Sequence, residues 1–465
     1  MTDNDSGPVA SDLNRRDFIR GASFASLMVA MGGIPLHAET TNTAPADAGF
    51  DAKKVAPVSF AVIGCGAWGR EILQTLAILP YAPVVAICDS YPSSLRRAKE
   101  LAPSAATYED YHKLLDQKDV EAVIIATPTH QHKEIVLAAL QAGKHVYCEA
   151  PLANTIEDAR AIAKAAKDTA RVYFQSGLQM RSDPEKIYIL DKFIHVGSVG
   201  TPIFARAQSH ANQSWRRSAG NPEREKELNW RLNSAISTGL VGELGIHQLD
   251  LISWFVNDLP SAVTGFGANL IWKDGRDVND TVQAVVQYAG KKTGTPMNFT
   301  YDSTLGSTFE SDYSVLYGVN ATVLMRDRQG WLFQETNSPM QGWEVFAAKV
   351  KFGNDLAISL AADATHSVKK ANDVPESPFE TTALHQALIA FHKNVGIVRD
   401  QVQNYIKTYG DDLSDLPATL ATYKPTFAAA ADHQAGFEAT VTAIKANEAT
   451  VKGDKVTLSK EMFEI

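Results

Sequence analysis

The feature that most constrains the fold is a glycine pattern directly after a short apolar run. Residues 60–63 lead into Gly64-Cys65-Gly66-Ala67-Trp68-Gly69, which has the spacing G-x-G-x-x-G at a strand-to-helix turn. Gly64 permits the tight turn, Gly66 lets the backbone approach a pyrophosphate, and Gly69 permits close packing of the helix. The pattern therefore predicts a dinucleotide-binding turn in a parallel sheet.

A carboxylate follows the second apolar run at the position where a ribose would lie. Asp89 comes 20 residues after Gly69 and is predicted to accept hydrogen bonds from the ribose hydroxyls. Ala67 and Trp68 begin the helix, where free backbone N–H groups and the helix dipole would face the phosphates. The charge of Asp89 favours NAD, while Arg96 and Arg97 leave NADP open.

Apolar strands and helices alternate along the region that follows. Strands are predicted at 58–63, 84–88, 122–126, 145–148 and 171–174, and helices at 68–79, 94–101, 111–115, 134–142 and after a cap at Thr155. This alternation is typical of a doubly wound parallel sheet with helices on both faces. Residues 57–177 are therefore predicted to form an N-terminal α/β Rossmann domain.

The pattern changes beyond about Gly177, where alternating segments indicate a mostly antiparallel sheet. These segments lie at 203–209, 263–272, 281–288, 297–304, 313–317 and 321–325. Helices near 383–395 and 436–451 are predicted to pack beside this sheet, with a helical insertion at 399–434. Residues 178–465 are thus predicted to be an α+β domain with an open sheet.

The N-terminus has the pattern of an export signal. Arg15-Arg16-Asp17-Phe18-Ile19-Arg20 is a twin-arginine sequence, and an uncharged, weakly apolar run extends from Gly21 to Leu36. We interpret residues 1–38 as a twin-arginine signal peptide and 39–56 as a linker. Because the apolar run is short for a membrane span, a periplasmic protein without stable membrane insertion is expected.

Composition and charge argue against other partners and sites. The net charge of -9 disfavours nucleic acid. The three cysteines are too few and odd in number for a disulfide framework, and we interpret them as small buried residues. His130 and His132 alone make a poor set of metal ligands, so no metal site is predicted.

Three further stretches carry a family resemblance. Thr127-Pro128-Thr129-His130-Gln131-His132 follows one predicted strand, a second stretch ends in Glu149-Ala150-Pro151, and Gly242–Asp250 opens a helix in the second domain. Together they resemble the Gfo/Idh/MocA oxidoreductases, the group that contains glucose-fructose oxidoreductase. The likeness covers nearly all of the chain after Pro57.

The resemblance implies a function and a set of cofactor contacts. It implies NAD(P)-dependent hydride transfer on a sugar or polyol held between the two domains, and a homo-oligomer that buries the open sheet face. Residues 178–465 would then bind substrate and mediate oligomerisation. The implied cofactor contacts are Thr127, Pro128, His132, Glu149, Ala150 and Pro151, with His132 close to the nicotinamide.

Two residues depart from the family pattern. The family usually has lysine where this chain has Ala150, and aspartate where it has Glu243. The family's lysine assists substrate orientation and proton transfer near the nicotinamide, and alanine does neither. The departure at Ala150 therefore leaves more than one reaction open for a member of this family.

His247 matches the family's catalytic histidine, and an imidazole suits removal of a hydroxyl proton while hydride leaves. Glu243 and Asp250 lie four residues before and three after it, which predicts one shared helix face. Glu243 is predicted to orient the imidazole or share its proton. The weaker candidates for sugar contacts are Arg181, His210, Trp230 and Asp250. Salt links or ordinary surface placement are the alternatives for Arg181 and His210, and core packing is the alternative for Trp230.

Export would place the protein where a free NAD(H) pool is absent, so a tightly bound cofactor regenerated in place is expected. Net oxidoreduction of a sugar or polyol is the favoured function. A redox-neutral NAD-dependent glycosidase or keto-sugar-converting enzyme is the alternative that best accommodates Ala150. A non-catalytic, nucleotide-bound sugar-binding protein is the third possibility.

Overall fold

Two sheets with helices packed around them are seen in the computed structural model, which describes residues 35–36, 56–326, 329–335, 338, 348–352, 355–359, 381–422 and 426–465. The strands are β1 (Pro35–Leu36), β2 (Phe60–Ile63), β3 (Val84–Cys88), β4 (Ala106–Tyr108), β5 (Ala122–Ile125), β6 (His145–Cys148), β7 (Phe174–Ser176), β8 (Pro202–His210), β9 (Pro260–Ala268), β10 (Thr281–Tyr288), β11 (Met297–Thr304), β12 (Asp312–Gly318), β13 (Ala321–Arg326), β14 (Gln329–Gln334), β15 (Ala348–Phe352), β16 (Asp355–Ser359) and β17 (Val456–Thr457). The helices are α1 (Ala67–Ala77), α2 (Pro92–Leu101), α3 (Tyr111–Leu115), α4 (His132–Gln141), α5 (Ile156–Asp168), α6 (Pro184–Ile189), α7 (Pro222–Leu228), α8 (Gly239–Glu243), α9 (Ile246–Val256), α10 (Ala383–Tyr409), α11 (Leu416–Thr422) and α12 (His433–Lys452). The predicted signal peptide and linker lie outside the described residues, except for Pro35, Leu36 and Ala56.

The first sheet is parallel and has the strand order β4-β3-β2-β5-β6-β7. Every residue of β2 and β5 is apolar and buried, which requires helices on both faces of the sheet. The predicted Rossmann fold is confirmed. Strand β4 was missed because Ala106 and Thr107 are exposed, so no buried apolar run marks this edge. All six carboxyl ends lie along one edge of this sheet, which we call the carboxyl edge.

Helix α10 packs against the parallel sheet, so the prediction that it lies beside the second sheet is wrong. Its buried residues Leu384, Leu388, Phe391 and Val395 belong to the same core as β2 and α1. The rings of Phe391 and Phe60 are 5.7 Å apart. Helical spacing shows that one face is buried, but not which sheet buries it. The helix also continues to Tyr409, past the predicted end at 395 and into the predicted insertion, whose remaining described helix is α11.

The second sheet has the strand order β1-β14-β13-β12-β8-β11-β10-β9-β17 in the described residues. Its neighbouring strands are antiparallel apart from the pair β8 and β11, which confirms a mostly antiparallel sheet. In β10, Val282, Ala284 and Val286 are buried in one core with α9 and α12. The alternate residues Thr281 and Gln283 therefore lie on the opposite, open face.

Helix α12 joins the two domains. Its residues pack on α5 of the first domain and on β9 of the second, within a core that both domains share. The Thr440 hydroxyl accepts a hydrogen bond of 3.0 Å from the buried backbone N–H of Leu152, just beyond β6. The carboxyl edge is thereby fixed relative to the second domain. Among the described residues, no helix has both the length and the apolar character needed to cross a bilayer.

Candidate active site

The glycine turn after β2 has the geometry of a phosphate cradle. Gly64 has φ +95°, and a Cβ there would lie 2.6 Å from the carbonyl carbon of Ala126. A Cβ on Gly69 would overlap the carbonyl oxygen of Gly64, so α1 packs on the turn only because this position is glycine. A Cβ on Gly66 would meet nothing within 4 Å. The turn is thus tight on its protein side and open at Gly66, which fits the approach of a pyrophosphate.

Asp89 lies beside this cradle. Its carboxylate accepts hydrogen bonds from the backbone N–H groups of Cys65, at 2.9 Å, and Tyr91, at 2.8 Å. It is therefore held at the end of β3, next to the turn, where the sequence pattern places the adenosine ribose. Arg96 and Arg97, which left NADP open, are exposed on α2.

Glu149 is a buried acid that follows β6 at the same edge. The Trp68 indole and the Ala150 backbone N–H donate hydrogen bonds to it, but burial dominates and raises its pKa to about 7. Its Oε1 atom has no hydrogen-bond partner among the described residues. The link from Trp68 connects the start of α1 to the Glu149-Ala150-Pro151 stretch, whose Ala150–Pro151 peptide bond is cis. The Ala150 side chain leaves this stretch without an amine.

His132 bridges two of the predicted cofactor stretches. Its Nδ1 lies 3.0 Å from the Pro151 carbonyl oxygen and its Nε2 lies 3.0 Å from the Thr127 carbonyl oxygen. Burial lowers its pKa to about 4, so the ring is neutral at pH 7. Both nitrogens face backbone carbonyl oxygens, and since a neutral ring carries one N–H, it donates to only one of them. His132 therefore lies between the loops after β5 and β6 and contacts both. Pro128 begins the 3-10 turn that leads into His132.

The predicted single helix from Gly242 to Asp250 is interrupted. Glu243 ends α8, whereas His247 and Asp250 lie in α9, which begins at Ile246. A Cβ on the intervening Gly245 would lie 2.7 Å from the ring of Tyr301 on β11. Only glycine fits at this position, because the backbone passes too close to the Val241 carbonyl oxygen and to the second sheet for any side chain.

Glu243 links the two domains. Its carboxylate accepts a 2.7 Å hydrogen bond from the Thr238 hydroxyl and longer ones of 3.3 and 3.4 Å from the Thr129 hydroxyl, which lies after β5. The Arg231 Nε atom is 3.6 Å away. With only 3% of its side chain exposed, Glu243 is surrounded by these groups. Its place is in the cleft between the domains.

Asp250 makes a second link between the domains. Arg181, just after β7, donates to the Asp250 carboxylate from Nε at 2.9 Å and from Nη2 at 2.8 Å. This bidentate pair uses the Asp250 side chain, which is 3% exposed. The salt-link alternative for Arg181 and Asp250 is therefore the one seen in the structure.

His247 lies between these two links. Glu243 contacts Thr129 after β5, and Asp250 contacts Arg181 after β7, so the residues on either side of His247 are both tied to the carboxyl edge. Burial lowers the pKa of His247, and the nearby charge of Asp250 opposes this only in part. Its Nδ1 atom is buried and has no hydrogen-bond partner among the described residues. A neutral imidazole with an unused nitrogen can accept a proton.

The other two candidates for sugar contacts lie in different places. Trp230 is buried, with its ring 5.9 Å from that of His130 and the Arg231 guanidinium 4.4 Å above it. His210 lies on the open face of the second sheet, where its Nε2 is 2.6 Å from Asp302. The structure therefore places Trp230 at the cleft and separates His210 from His247 by the thickness of the sheet.

Several residues of this region escaped the sequence reasoning. Thr238 binds Glu243, Tyr91 binds Asp89 through its backbone, and Arg224 lies over the Tyr91 ring at 3.9 Å. Tyr91 could have been suspected from its position two residues after Asp89. Thr238 and Arg224 belong to no motif, and nothing in the sequence marks them. Within the described chain, no three His, Cys, Asp or Glu side chains are arranged to hold a metal ion.

Fold and site together define a two-domain protein with a dinucleotide-binding Rossmann domain and a second domain that closes over its carboxyl edge. Residues 58–177 match the family model described as "Oxidoreductase family, NAD-binding Rossmann fold", and residues 190–315 match the GFO/IDH/MocA C-terminal domain. These matches together cover more than half of the chain. The chain therefore belongs to the Gfo/Idh/MocA oxidoreductase family, and its first domain is an NAD-binding Rossmann domain. The predicted family and NAD cofactor are confirmed.

Named relatives share part of the sequence. Inositol 2-dehydrogenase of Klebsiella pneumoniae is 36% identical over 199 residues, 42% of this chain and 54% of that protein. Levoglucosan dehydrogenase of Pseudarthrobacter phenanthrenivorans is 29% identical over 206 residues, 42% of this chain and 50% of that protein. The chain thus spans about half the length of the curated relatives it matches.

Solved structures share the fold over a longer range. Myo-inositol 2-dehydrogenase from Lactobacillus plantarum superposes with a TM-score of 0.60 at 20% identity, over 87% of this chain and 100% of that one. Levoglucosan dehydrogenase in complex with NADH and L-sorbose gives a TM-score of 0.63 at 18% identity, also over 87% of this chain and 100% of that one. At these identities the likeness shows the common fold.

Proposed function

We propose that this chain is an exported, NAD-dependent oxidoreductase that transfers hydride on a sugar or polyol and keeps its cofactor tightly bound. The observation that carries this proposal is the position of His247. Links from Glu243 to Thr129 and from Asp250 to Arg181 hold it at the carboxyl edge, where the NAD-binding turn also lies. The similarity to an inositol 2-dehydrogenase and to a levoglucosan dehydrogenase supports a polyhydroxylated substrate.

His247 is the proposed base. When bound, NAD supplies the hydride acceptor. Because burial lowers its pKa, His247 is neutral at pH 7, and a neutral imidazole can take the proton of the reacting hydroxyl. Glu243, fixed by Thr238 and Thr129, positions the turn that precedes His247 and brings the two domains together around the substrate.

Glu149 and Ala150 favour a second candidate, redox-neutral conversion of a glycoside or keto-sugar. Burial keeps the Glu149 carboxyl protonated up to about pH 7, and no lysine stands beside it. A protonated carboxyl can give its proton to a departing glycosidic oxygen. In this version NAD, when bound, would accept a hydride from the sugar and later return it. In between, a proton leaves the carbon next to the new ketone, the glycosidic oxygen departs with a proton, and water adds in its place, so no net redox product forms.

The purified protein tests both candidates. Any co-purifying nucleotide is identified, and the absorbance of reduced nicotinamide is followed while sugars, polyols and glycosides are added. Net dehydrogenation gives a lasting change in absorbance, whereas release of an aglycone without one indicates the redox-neutral reaction. A bound nucleotide with no response to any compound would favour a non-catalytic sugar-binding role.

The His247→Ala variant tests the proposed base. We expect turnover to fall by about 10²- to 10⁴-fold, because the proton acceptor is lost, while NADH binding stays unchanged. His195→Ala is the matched control, since His195 is exposed and lies near Asp191 on the surface of the second domain. Parental turnover in the His247→Ala variant would refute the assignment.

Export and assembly belong to the same proposal. Replacing Arg15 and Arg16 by lysine should leave the protein in the cytoplasm of a Gram-negative host that otherwise exports it, as cell fractionation would show. Export that persists would contradict the twin-arginine route. Phe266, Leu270, Ile271 and Phe309 are more than half exposed, and Leu270 and Ile271 line one pocket with His210. These exposed apolar side chains support a homo-oligomer formed through the open face. A monomer in light scattering would argue against it.

A further inference from the structure

A segment of the second domain crosses the carboxyl edge of the first. Residues 211–238, between β8 and α8, touch the Rossmann domain at Asn154, whose side chain donates to the Ala235 carbonyl oxygen at 3.5 Å, and at two further points. We call these residues the strap. At one point the Arg224 guanidinium lies 3.9 Å from the centre of the Tyr91 ring. At the other, the rings of Trp230 and His130 are 5.9 Å apart.

These two points bracket the cofactor-binding turn. Tyr91 lies in the loop after β3, and His130 lies in the loop after β5. In the sheet, β2 lies between β3 and β5, and β2 leads into the glycine turn at Gly64. A segment that contacts both outer loops therefore passes over the turn between them.

The Tyr91 contact lies at the adenosine end of the site. The Tyr91 backbone N–H donates to Asp89, the carboxylate assigned to the adenosine ribose. Arg224 donates to Glu227 at 3.0 Å, and its side chain is 14% exposed. Its Nε atom is buried and has no hydrogen-bond partner in the described parts of the chain.

The strap is an ordered element. Asn221 caps α7 through the Arg224 backbone N–H at 2.8 Å, and the Asn229 side chain bonds the backbone of Arg217 in both directions at 2.8 Å. Its outer side is attached to the loop after β9, where Arg216 donates to the Asp274 carbonyl oxygen at 2.7 Å. These bonds hold the strap together internally and fix its outer side. Loss of the contact between Arg224 and Tyr91 would therefore release the part of the strap that lies at the adenosine end of the site.

We propose that the strap retains the bound nucleotide, and that Arg224 is the positioning residue whose contact with Tyr91 limits nucleotide release. This inference rests on the NAD-binding part of the proposed function and deepens its tight cofactor binding. It does not depend on which sugar reacts or on whether the reaction has a net redox product.

Release of NADH measures the proposal directly. The full chain is loaded with NADH, mixed rapidly with a large excess of NAD, and followed by nicotinamide fluorescence. Arg224→Ala and Tyr91→Leu should each release NADH about tenfold faster than the parent, because each removes the same cation–π contact. The double variant should release no faster than either single variant.

Three further variants separate this role from general stability. Tyr91→Phe keeps the ring and should release NADH at the parental rate, and Arg224→Lys keeps the charge and should recover part of the retention. Lys226→Ala removes a positive charge from the exposed side of the same helix and should change nothing. If Arg224→Ala fails to fold, the comparison of Tyr91→Leu with Tyr91→Phe still tests the contact.

The outcomes distinguish this inference from the function on which it rests. NADH binding with parental release in both Arg224→Ala and Tyr91→Leu would overturn the strap and leave NAD binding intact. Faster release in Tyr91→Phe or Lys226→Ala would also overturn it, since neither loses the contact. Absence of NADH binding in the parent would overturn the nucleotide assignment together with the strap.

Discussion

Glu149 shows how one buried side chain connects the fold to pH. Its residue is 8% exposed, and two hydrogen bonds, from Trp68 and the Ala150 backbone, do not compensate for the loss of water around a charge. Between about pH 4.5 and 7 the folded chain therefore holds a proton that the unfolded chain has already released. This matters for function, because the form of Glu149 decides whether the stretch beside Ala150 presents an acid or an anion.

The Glu149→Gln variant should remove one part of the pH dependence of stability. The pKa is 4.5 for the free side chain and about 7 in the fold, so the stabilisation is complete below about pH 4.5. As pH rises from about 4.5 to about 7, the contribution of the protonated Glu149 to the free energy of unfolding falls by about 3 kcal/mol. Glutamine stays neutral and should show no such loss. Urea unfolding of both nucleotide-free proteins between pH 5 and 8 measures this, and equal pH slopes would contradict it.

The sequence indicated which residues matter more readily than what they touch. His132 was predicted beside the nicotinamide, and its partners turn out to be the backbone carbonyls of Thr127 and Pro151. Glu243 was recognised from its spacing to His247. Its hydrogen-bond partners Thr238 and Thr129 could not be recognised in this way, because they meet Glu243 only in the folded, packed structure. Spacing along one helix is a local property, whereas contacts across a cleft depend on the whole fold.

The turn between β2 and α1 needs glycine for two different reasons, packing of the helix at Gly69 and approach of the pyrophosphate at Gly66. Two alanine variants separate these reasons. Gly69→Ala should lower the free energy of unfolding by about 1–3 kcal/mol, because the new methyl group overlaps Gly64 and α1 must shift. Gly66→Ala should change it by about 1 kcal/mol or less, since the methyl group enters open space at the helix N-cap. Both should weaken NADH binding at least about tenfold.

Denaturant unfolding and NADH fluorescence titration of the two variants provide the measurement. The informative result is the contrast, in which Gly69→Ala loses stability and affinity while Gly66→Ala loses affinity alone. Parental NADH affinity in Gly66→Ala would show that the pyrophosphate does not approach the backbone at that position.

Elements were predictable where the pattern is local and strong. The buried runs of β2 and β5 and the glycine turn identified the parallel sheet from the sequence alone. The exposed strand β4 carried no such pattern. Helix α10 had the right periodicity, but only the structure shows that its Phe391 packs on Phe60, a residue far away in the sequence. The need for glycine between α8 and α9 involves Tyr301, which comes from a distant strand.

At the scale of the whole molecule, the two domains are held together around His247 by both apolar and polar contacts. Helix α12 lies in the shared core, and the Arg181–Asp250 pair is one of the polar links across the cleft. Asp250 is 3% exposed at its side chain and Arg181 is 19% exposed, so neither charge is well hydrated. Removing one partner would leave the other nearly buried and unpaired.

The Asp250→Asn variant should therefore lower the free energy of unfolding by about 2–4 kcal/mol. The joint replacement of Arg181 by Met and Asp250 by Leu should recover much of this loss, because no unpaired charge remains. Asp191→Asn removes an acid from the exposed His195 pair and should change stability by less than about 1 kcal/mol. Urea unfolding compares the three. If Asp250→Asn were as stable as the parent, the pair would not couple the domains, and the link from Glu243 to Thr129 alone would hold His247 at the carboxyl edge.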